Sequence, residues 1–555
     1  VAGPPECGHA CGRLAAHYNR RLTLTMPHIL IFISGGAILA LELLASRIMT
    51  PYFGVSLYIW TGILSITLVS LALGYWWGGR LAGNAETPAR RLGLLFAIMP
   101  ALAGIAIIAA CAVYPFAFHP LARWSLVGGA FVACIIFLFL PLVATSAMNP
   151  LLVALLLRKQ TERKGDAGAG QVFFISTLGS VAGVIVTAFA LIPYISNYTA
   201  TLMVALLLGI LSLVAALSNL QMSARGTVTA CGIAAVAGAT LLAWQADSYT
   251  GRQGPVAFSG AQWRVEDTHS SLFGTVKILR SDADAEGKFL RLYFHDGLIQ
   301  NTVDSNQRSL SFYTYALEAL AHAYQPQLHN VLMLGLGAGI VPSRLAREGA
   351  HVEVVEIDPS SVQVAQRYFG FDAKRVTTHQ ADARAYVSAC APRHDVVLVD
   401  LFQGDGTPDY LITREFFRDL RRCLKPGGIA VFNTFANLDE PRGYAHLLAT
   451  LLSELPHAVL YRPDWPGVRQ INSFLVAAPA PLPVPRRITL TDVPDRHASA
   501  LWDMLAKPQV VAGELLSSGR VIHDAWNAAA LDMAANQATF RQGVLDSAPP
   551  ALLMN

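Results

Sequence analysis

Residues 330–358 read Asn-Val-Leu-Met-Leu-Gly-Leu-Gly-Ala-Gly-Ile-Val-Pro-Ser-Arg-Leu-Ala-Arg-Glu-Gly-Ala-His-Val-Glu-Val-Val-Glu-Ile-Asp. The apolar run Val331–Leu334 suits a strand buried on both faces, and the glycines at 335, 337 and 339 make the turn after it. Ile340–Glu348 has helical spacing, and His351–Glu356 is a second strand. Strand, glycine turn, helix and strand form a βαβ unit. In such a unit glycine lets the backbone approach a nucleotide, and an acid ending the second strand accepts from ribose hydroxyls. Gly335, Gly337, Gly339, Glu356, Ile357 and Asp358 are therefore the expected nucleoside-binding set.

Downstream, Asp382 and Ala383 follow the polar turn 377–381, where an adenine amino group is expected. Val396–Val399 is another buried strand and ends in Asp400, at the carboxyl edge where α/β sheets bind ligands. Leu424-Lys-Pro-Gly427-Gly428 then turns into a strand at Ile429–Asn433. A glycine turn alone is a common accident; combined with these three strand-end acids it specifies a Rossmann-like nucleotide-binding fold.

Upstream, Gly274–Leu279 and Phe289–Phe294 read as hairpin strands, with Asp296-Gly297 suited to a tight turn. The expected organisation is a disordered tail over 1–27, a helical membrane domain over 28–246 and a linker over 247–261. A small β module at 262–325, the Rossmann-like domain at 326–480 and a helical extension without evident chemistry at 481–555 complete it.

The 555 residues are 53% apolar and 14% charged, and nearly all the acids lie from Asp247 onward. Seven apolar runs, 28–46, 57–79, 92–113, 126–157, 171–192, 198–218 and 226–244, approach the roughly 20 residues that span a bilayer as a helix. Pro141 and Pro150 predict a kink or break in the fourth. Basic residues gather before the first run, between the second and third, and between the fourth and fifth, which puts the N-terminus in the cytoplasm. Seven crossings then deliver the C-terminal half to the outside, whereas a cytoplasmic nucleoside supply asks for a cytoplasmic domain. That supply argument favours an even number of effective crossings of a cell or inner membrane.

Glu42 lies inside the first run, with Arg47 its nearest partner on the same helix. An intramembrane acid is a candidate functional residue, and a helix-packing pair is the structural alternative. Net charge +4 without a basic, aromatic-laced run excludes nucleic acid as the expected partner. The seven cysteines imply no disulfide framework. Cys7, His9 and Cys11, with His17, lack a second ligand pair at zinc-finger spacing, so no metal is expected.

At these residues the chain resembles the spermidine synthase (polyamine aminopropyltransferase) family over roughly 262–480, and its layout resembles fused membrane/spermidine-synthase proteins. The resemblance runs through Asp296-Gly297-x-x-Gln300, Tyr313, the 335–339 loop, Glu356-Ile-Asp358, Asp382 and Asp400, and in the membrane half through Glu42, Arg47 and Gly179-Ser-x-x-Gly183. It implies a polytopic helical domain joined to an α/β domain of the class I methyltransferase/spermidine synthase type with a small β module. It further implies a bound nucleoside, Asp400 as the group that orients and deprotonates an amine, and Asp296, Gln300, Tyr313 and Gln403 around the substrate. The family's glycine-loop carboxylate is replaced by Ala338, its Tyr-x-Glu by Tyr313-Thr-Tyr315, and the acid three residues after the catalytic one by Gln403.

The function implied is aminopropyl transfer from decarboxylated S-adenosylmethionine to an amine or lipid-like acceptor at the bilayer, with a homodimer admitted. Methyl or aminocarboxypropyl transfer from intact S-adenosylmethionine is the alternative that Ala338 permits. A transporter with a nucleoside-sensing domain is the reading from a different class.

Overall fold

The computed structural model describes residues 8–554 except 56, 84–86, 160–166, 219, 247–253, 403–405, 438–440, 466–469, 489, 514–515 and 527–528, with side chains from residue 26 other than those of 57–58, 159, 167, 436–437, 470–471 and 529–536. Cys7, the side chains of His9, Cys11 and His17, residues 247–253 of the expected linker, and Gln403 lie outside the described residues. The chain divides into two compact units. One comprises residues 1–49 and 58–253 with the last two residues, and the other Thr50–Leu57 with Gly254–Leu553.

The first unit is helical: α1 (Gly8–Phe53), α2 (Leu57–Ala82), α3 (Ala89–Trp124), α4 (Leu126–Cys134), α5 (Leu140–Lys159), α6 (Ala167–Val186), α7 (Asn197–Leu217) and α8 (Arg225–Trp244). Helix α1 thus begins within the stretch read as a tail. Among the described residues seven helical stretches are long and apolar enough to cross a membrane, α4 and α5 together forming one of them, Leu126–Arg158. The break expected at the prolines is a π-helical segment, Ile135–Phe139, that runs straight on into α5. Pro141 lacks an amide hydrogen, and widening the turn ahead of it accommodates that loss without ending the helix.

Leu68, Phe116, Phe174 and Phe189 are 65–67% exposed, which suits helices surrounded by hydrocarbon rather than water. Where helices meet, small residues let backbones touch. A Cβ on Gly183 would collide with the backbone of Gly36, and one on Gly78 would lie 2.5 Å from the Ala147 carbonyl. Glu42 is buried and Arg47 half-buried on α1. Five positions apart, they stand roughly 140° apart around the helix rather than stacked on one face.

The second unit holds two sheets. The first is a meander of β1 (Val256–Phe258), β2 (Ala261–Ser271), β3 (Gly274–Ser281), β4 (Leu290–His295) and β5 (Leu298–Asp304) in sequential order. Asp296 and Gly297 join β4 to β5 at φ of +45° and +91°, values that a two-residue hairpin turn with the right-handed strand twist requires.

Helix α9 (Phe312–Tyr324) leads to the second sheet: β6 (Asn330–Leu334), α10 (Ile340–Arg347), β7 (His351–Glu356), α11 (Pro359–Tyr368), β8 (Val376–Gln380), α12 (Ala383–Ser388), β9 (His394–Val399), α13 (Arg414–Cys423), β10 (Leu424–Asn437), α14 (Arg442–Glu454), β11 (His457–Tyr461), β12 (Gln470–Ala478), α15 (Asp495–Leu505), β13 (Gln509–Val510) and α16 (Ala529–Ser547). Its order is β13-β11-β12-β10-β9-β6-β7-β8, parallel from β10 to β8, with β12 antiparallel to β10. Alternate residues of β6 feed opposite faces: Val331 and Met333 join one core with α9, while Leu332 and Leu334 join the other with α13 and α14. Chain order reverses direction on either side of β6, so its carboxyl end opens a crevice toward β7 and β9.

One expectation is corrected here. Cys390 and Cys423 form a disulfide across 33 residues, although the cysteine count implied no framework. Cys423 ends α13 and Cys390 follows α12, so tertiary packing rather than sequence spacing pairs them.

Candidate functional site

The crevice at the end of β6 is a cavity of about 420 Å³, within the range of small-molecule sites. Gly335 and Gly337 floor it with φ of +92° and +54°, conformations that a side chain would strain. A Cβ on Gly335 would strike the Asp400 carbonyl, whereas one on Gly337 would meet nothing within 4 Å, so the turn is pinned at one glycine and open at the next.

Glu356 ends β7 against this loop. Its two oxygens accept from Leu336 N at 2.9 Å and Asp358 N at 2.8 Å, which locks the carboxylate to the turn. Burial raises its pKa above the ordinary carboxylate range, opposed by those two amides. Asp358 lines the cavity but caps α11, accepting from Ser360 N at 2.9 Å and from Ser271 Oγ at 2.9 Å. Asp382 caps α12 through Ala385 N at 2.9 Å and accepts from the Tyr410 hydroxyl at 3.0 Å.

Asp400 follows β9 at the opposite wall. Asn433 of β10 donates to its Oδ1 at 2.9 Å, and Asn472 of β12 donates to Asn433 at 3.0 Å. Burial, with the Glu356 charge nearby, pushes its pKa up to about 6 against the opposing Asn433 bond. Tyr313 also lines the cavity; its hydroxyl accepts from Asn301 at 3.2 Å, and burial followed by the Asp400 charge raises its pKa.

Of the residues expected at the site, Gly335, Gly337, Glu356, Ile357, Asp358, Asp382, Ala383, Asp400, Gln300 and Tyr313 are brought together around the cavity. Gly339 is not on its wall but stands at φ +71° as the N-cap of α10. Asp296, expected beside the substrate, is instead buried in the β4–β5 turn, its Oδ1 accepting from Thr275 N at 2.9 Å. The turn that suits Asp-Gly so well directs that carboxylate into the meander. Ala338 is packed in an apolar cluster with Val276, Ile278 and Tyr293.

Tyr293, His295, Phe273, Phe402 and Tyr410 line the cavity without having been expected there. Period-two alternation along β4 was the available signal for the first two, which share a face. Among the described lining residues there are four carboxylates and no lysine or arginine. Glu318, His322 and Glu348 lie close enough together to hold an ion, but none lines the cavity and Arg344 already pairs with Glu318 at 2.5 Å.

Residues 310–448 match the spermine/spermidine synthase domain family. The matched span lies within the C-terminal half of the chain. A polyamine aminopropyltransferase of Vibrio vulnificus is 36% identical over 163 residues, 28% of this chain and 54% of that protein. One of Mycobacterium tuberculosis is 30% identical over 329 residues, 55% of this chain and 59% of that protein. The chain thus spans a little over half the length of these curated relatives. A solved probable spermidine synthase from Corynebacterium glutamicum aligns at 23% identity and TM-score 0.38, covering 46% of this chain and 96% of that one. The matched span includes the glycine turn, Glu356, Asp382, Asp400 and Asn433, and stops before Asn472.

Proposed function

We propose that the protein is a multi-pass membrane transferase whose synthase domain moves an aminopropyl group from decarboxylated S-adenosylmethionine to an amine acceptor. The observation that carries this reading is Asp400, a strand-end carboxylate with a pKa near 6, facing a cavity lined by carboxylates and lacking lysine and arginine among its described residues. A sulfonium donor and an ammonium acceptor are both cations, which such a wall favours. An intact donor would bring a carboxylate among these acids with no cationic side chain to meet it.

In the reaction proposed, Glu356 and Asp382 hold the ribose and adenine of the donor, and the glycine turn gives its backbone room. The acceptor ammonium docks on Asp400 and passes it a proton. The freed nitrogen lone pair attacks the donor carbon next to sulfur, a nitrogen–carbon bond forms and the carbon–sulfur bond breaks. The bonding pair stays on sulfur, giving neutral methylthioadenosine, and the proton leaves Asp400 for solvent. Alignment is the larger part of the catalysis, since the sulfonium already carries its leaving group. Gln300 and Tyr313 border the acceptor end, and Gln403 belongs to the same proposed region by sequence.

Mass spectrometry of the nucleoside released from each donor by the purified full chain with a membrane extract tests this. Methylthioadenosine from the decarboxylated donor alone supports it. S-adenosylhomocysteine, or methylthioadenosine from the intact donor, would replace it with methyl or aminocarboxypropyl transfer. No product from either would turn the reading to transport or sensing.

A further inference from the structure

Four observations bear on the side of the membrane on which the proposed synthase domain works. The first is a contact within the second unit. Pro51 lies in the last turn of α1, and the segment Thr50–Leu57, which closes that helix and opens α2, clusters with the unit formed by Gly254–Leu553. The fully buried Arg541 of α16 donates through Nη1 to the Pro51 carbonyl and to the Asp296 carbonyl, both at 3.0 Å. Gly297 leaves room for this contact, because a Cβ there would come within 3.1 Å of the Pro51 carbonyl. A buried guanidinium cannot bridge two carbonyls on opposite sides of a bilayer whose core is about 30 Å thick. Thr50–Leu57 and the synthase domain therefore share one side.

Helix count agrees. After that segment six more candidate spans precede the domain among the described residues, and an even number returns the chain to the side of Pro51. The stretch in which the prolines predicted a break, Leu126–Arg158, is continuous helix through its π-helical segment and so crosses once.

Charge then says which side it is. The connections and helix ends facing away from Pro51 carry Arg80, Arg90 and Arg91 around 83–88, Arg158, Lys159, Arg163 and Lys164 around 159–167, and Arg225 at the start of α8. On the side of Pro51, the helix ends carry Arg47 and Arg123, and the α6–α7 connection carries no basic residue. Lysine and arginine accumulate in cytoplasmic connections. The fourth observation is the Cys390–Cys423 disulfide in the synthase domain, a bond that persists in oxidising compartments and is rare in the cytosol.

We propose that the synthase domain lies on the non-cytoplasmic side of the membrane, so that the cationic donor and amine acceptor must be present or delivered there. This reverses the placement expected from cytoplasmic nucleoside supply. It makes the membrane half the physical barrier between the site and the cytosol.

The test uses the full chain in a C7S, C11S, C231S background, with one reporter cysteine placed by Glu286→Cys in an exposed hairpin or by Pro88→Cys in an exposed connection of the basic side. A membrane-impermeant maleimide is applied to right-side-out and inside-out vesicles. Glu286→Cys should label at least tenfold more in right-side-out vesicles and Pro88→Cys at least tenfold more in inside-out ones. Equal labelling of Glu286→Cys in the two preparations, or preference for inside-out vesicles, overturns the proposal. The readout needs no turnover, so a failure of the transferase reading would leave it standing and would be seen separately.

Discussion

Asn433 donates a 2.9 Å hydrogen bond to Oδ1 of Asp400 and opposes the burial that lifts the carboxyl's pKa to about 6. A base must be deprotonated to accept a proton, so kcat/KM should rise through pH 6 and level off above it. Asn433→Leu removes the bond that favours the charged form, and its acidic limb should move to higher pH, with a several-fold loss at pH 6.5 and little at pH 8.5. A pH–rate profile of the two proteins checks this; an unmoved limb would remove Asp400 as the titrating base.

Asp400→Asn should lower kcat by about 10²–10⁴-fold while leaving nucleoside affinity within a few-fold. Stability should move the other way. A carboxyl whose folded pKa is raised from 3.8 to about 6 favours folding when protonated and loses that contribution as pH rises through 6. Replacing it by a neutral amide should therefore stabilise the protein at pH 8, by on the order of 1–3 kcal/mol, and by much less at pH 4. Thermal midpoints of the full chain in detergent at both pH values, set beside turnover, decide it.

Gly335→Ala should cost nucleoside binding at least tenfold. Its φ of +92° strains any side chain, and the added methyl would meet the Asp400 carbonyl, so the turn would have to shift away from β9. Gly337→Ala, in open space, should disturb folding less and act by occupying cavity volume. Equilibrium binding of methylthioadenosine to the two variants separates strain from occlusion.

Arg344 and Glu318 join α10 to α9 through bonds of 2.5 and 3.0 Å, with Glu318 fully buried. Arg344→Met leaves that carboxylate unpaired and should destabilise the protein by about 3–5 kcal/mol, while Arg344→Met with Glu318→Leu should recover most of the loss. Chemical denaturation of the single and double variants measures both.

The βαβ unit was legible because its evidence is local: glycines, an apolar strand and a strand-end acid within 29 residues of chain. The seven apolar helices were legible for the same reason, since a span announces itself by length and composition alone. What escaped was whatever only tertiary packing assembles. Tyr293 and His295 reach the cavity from the meander, Tyr410 reaches it beyond β9, and Arg541 finds Asp296 across 245 residues. Asp296 was misplaced because Asp-Gly marks a turn without saying which way the carboxylate points. Cys390 and Cys423 were unreadable as a pair because nothing in their spacing differs from chance.

The contact of Gly36 with Gly183 makes the helical half tolerant of change in an uneven way. Exposed apolar positions such as Phe174 or Phe189 can exchange among apolar residues with little penalty, since no packed neighbour distinguishes them. At Gly36, Gly179 and Gly183 even one methyl meets backbone, which has no rotamer with which to yield. Sequence drift in this half should therefore run freely over its outer surface and halt at that seam. A search for distant kin would do better to follow three hydrogen atoms than the surrounding leucines.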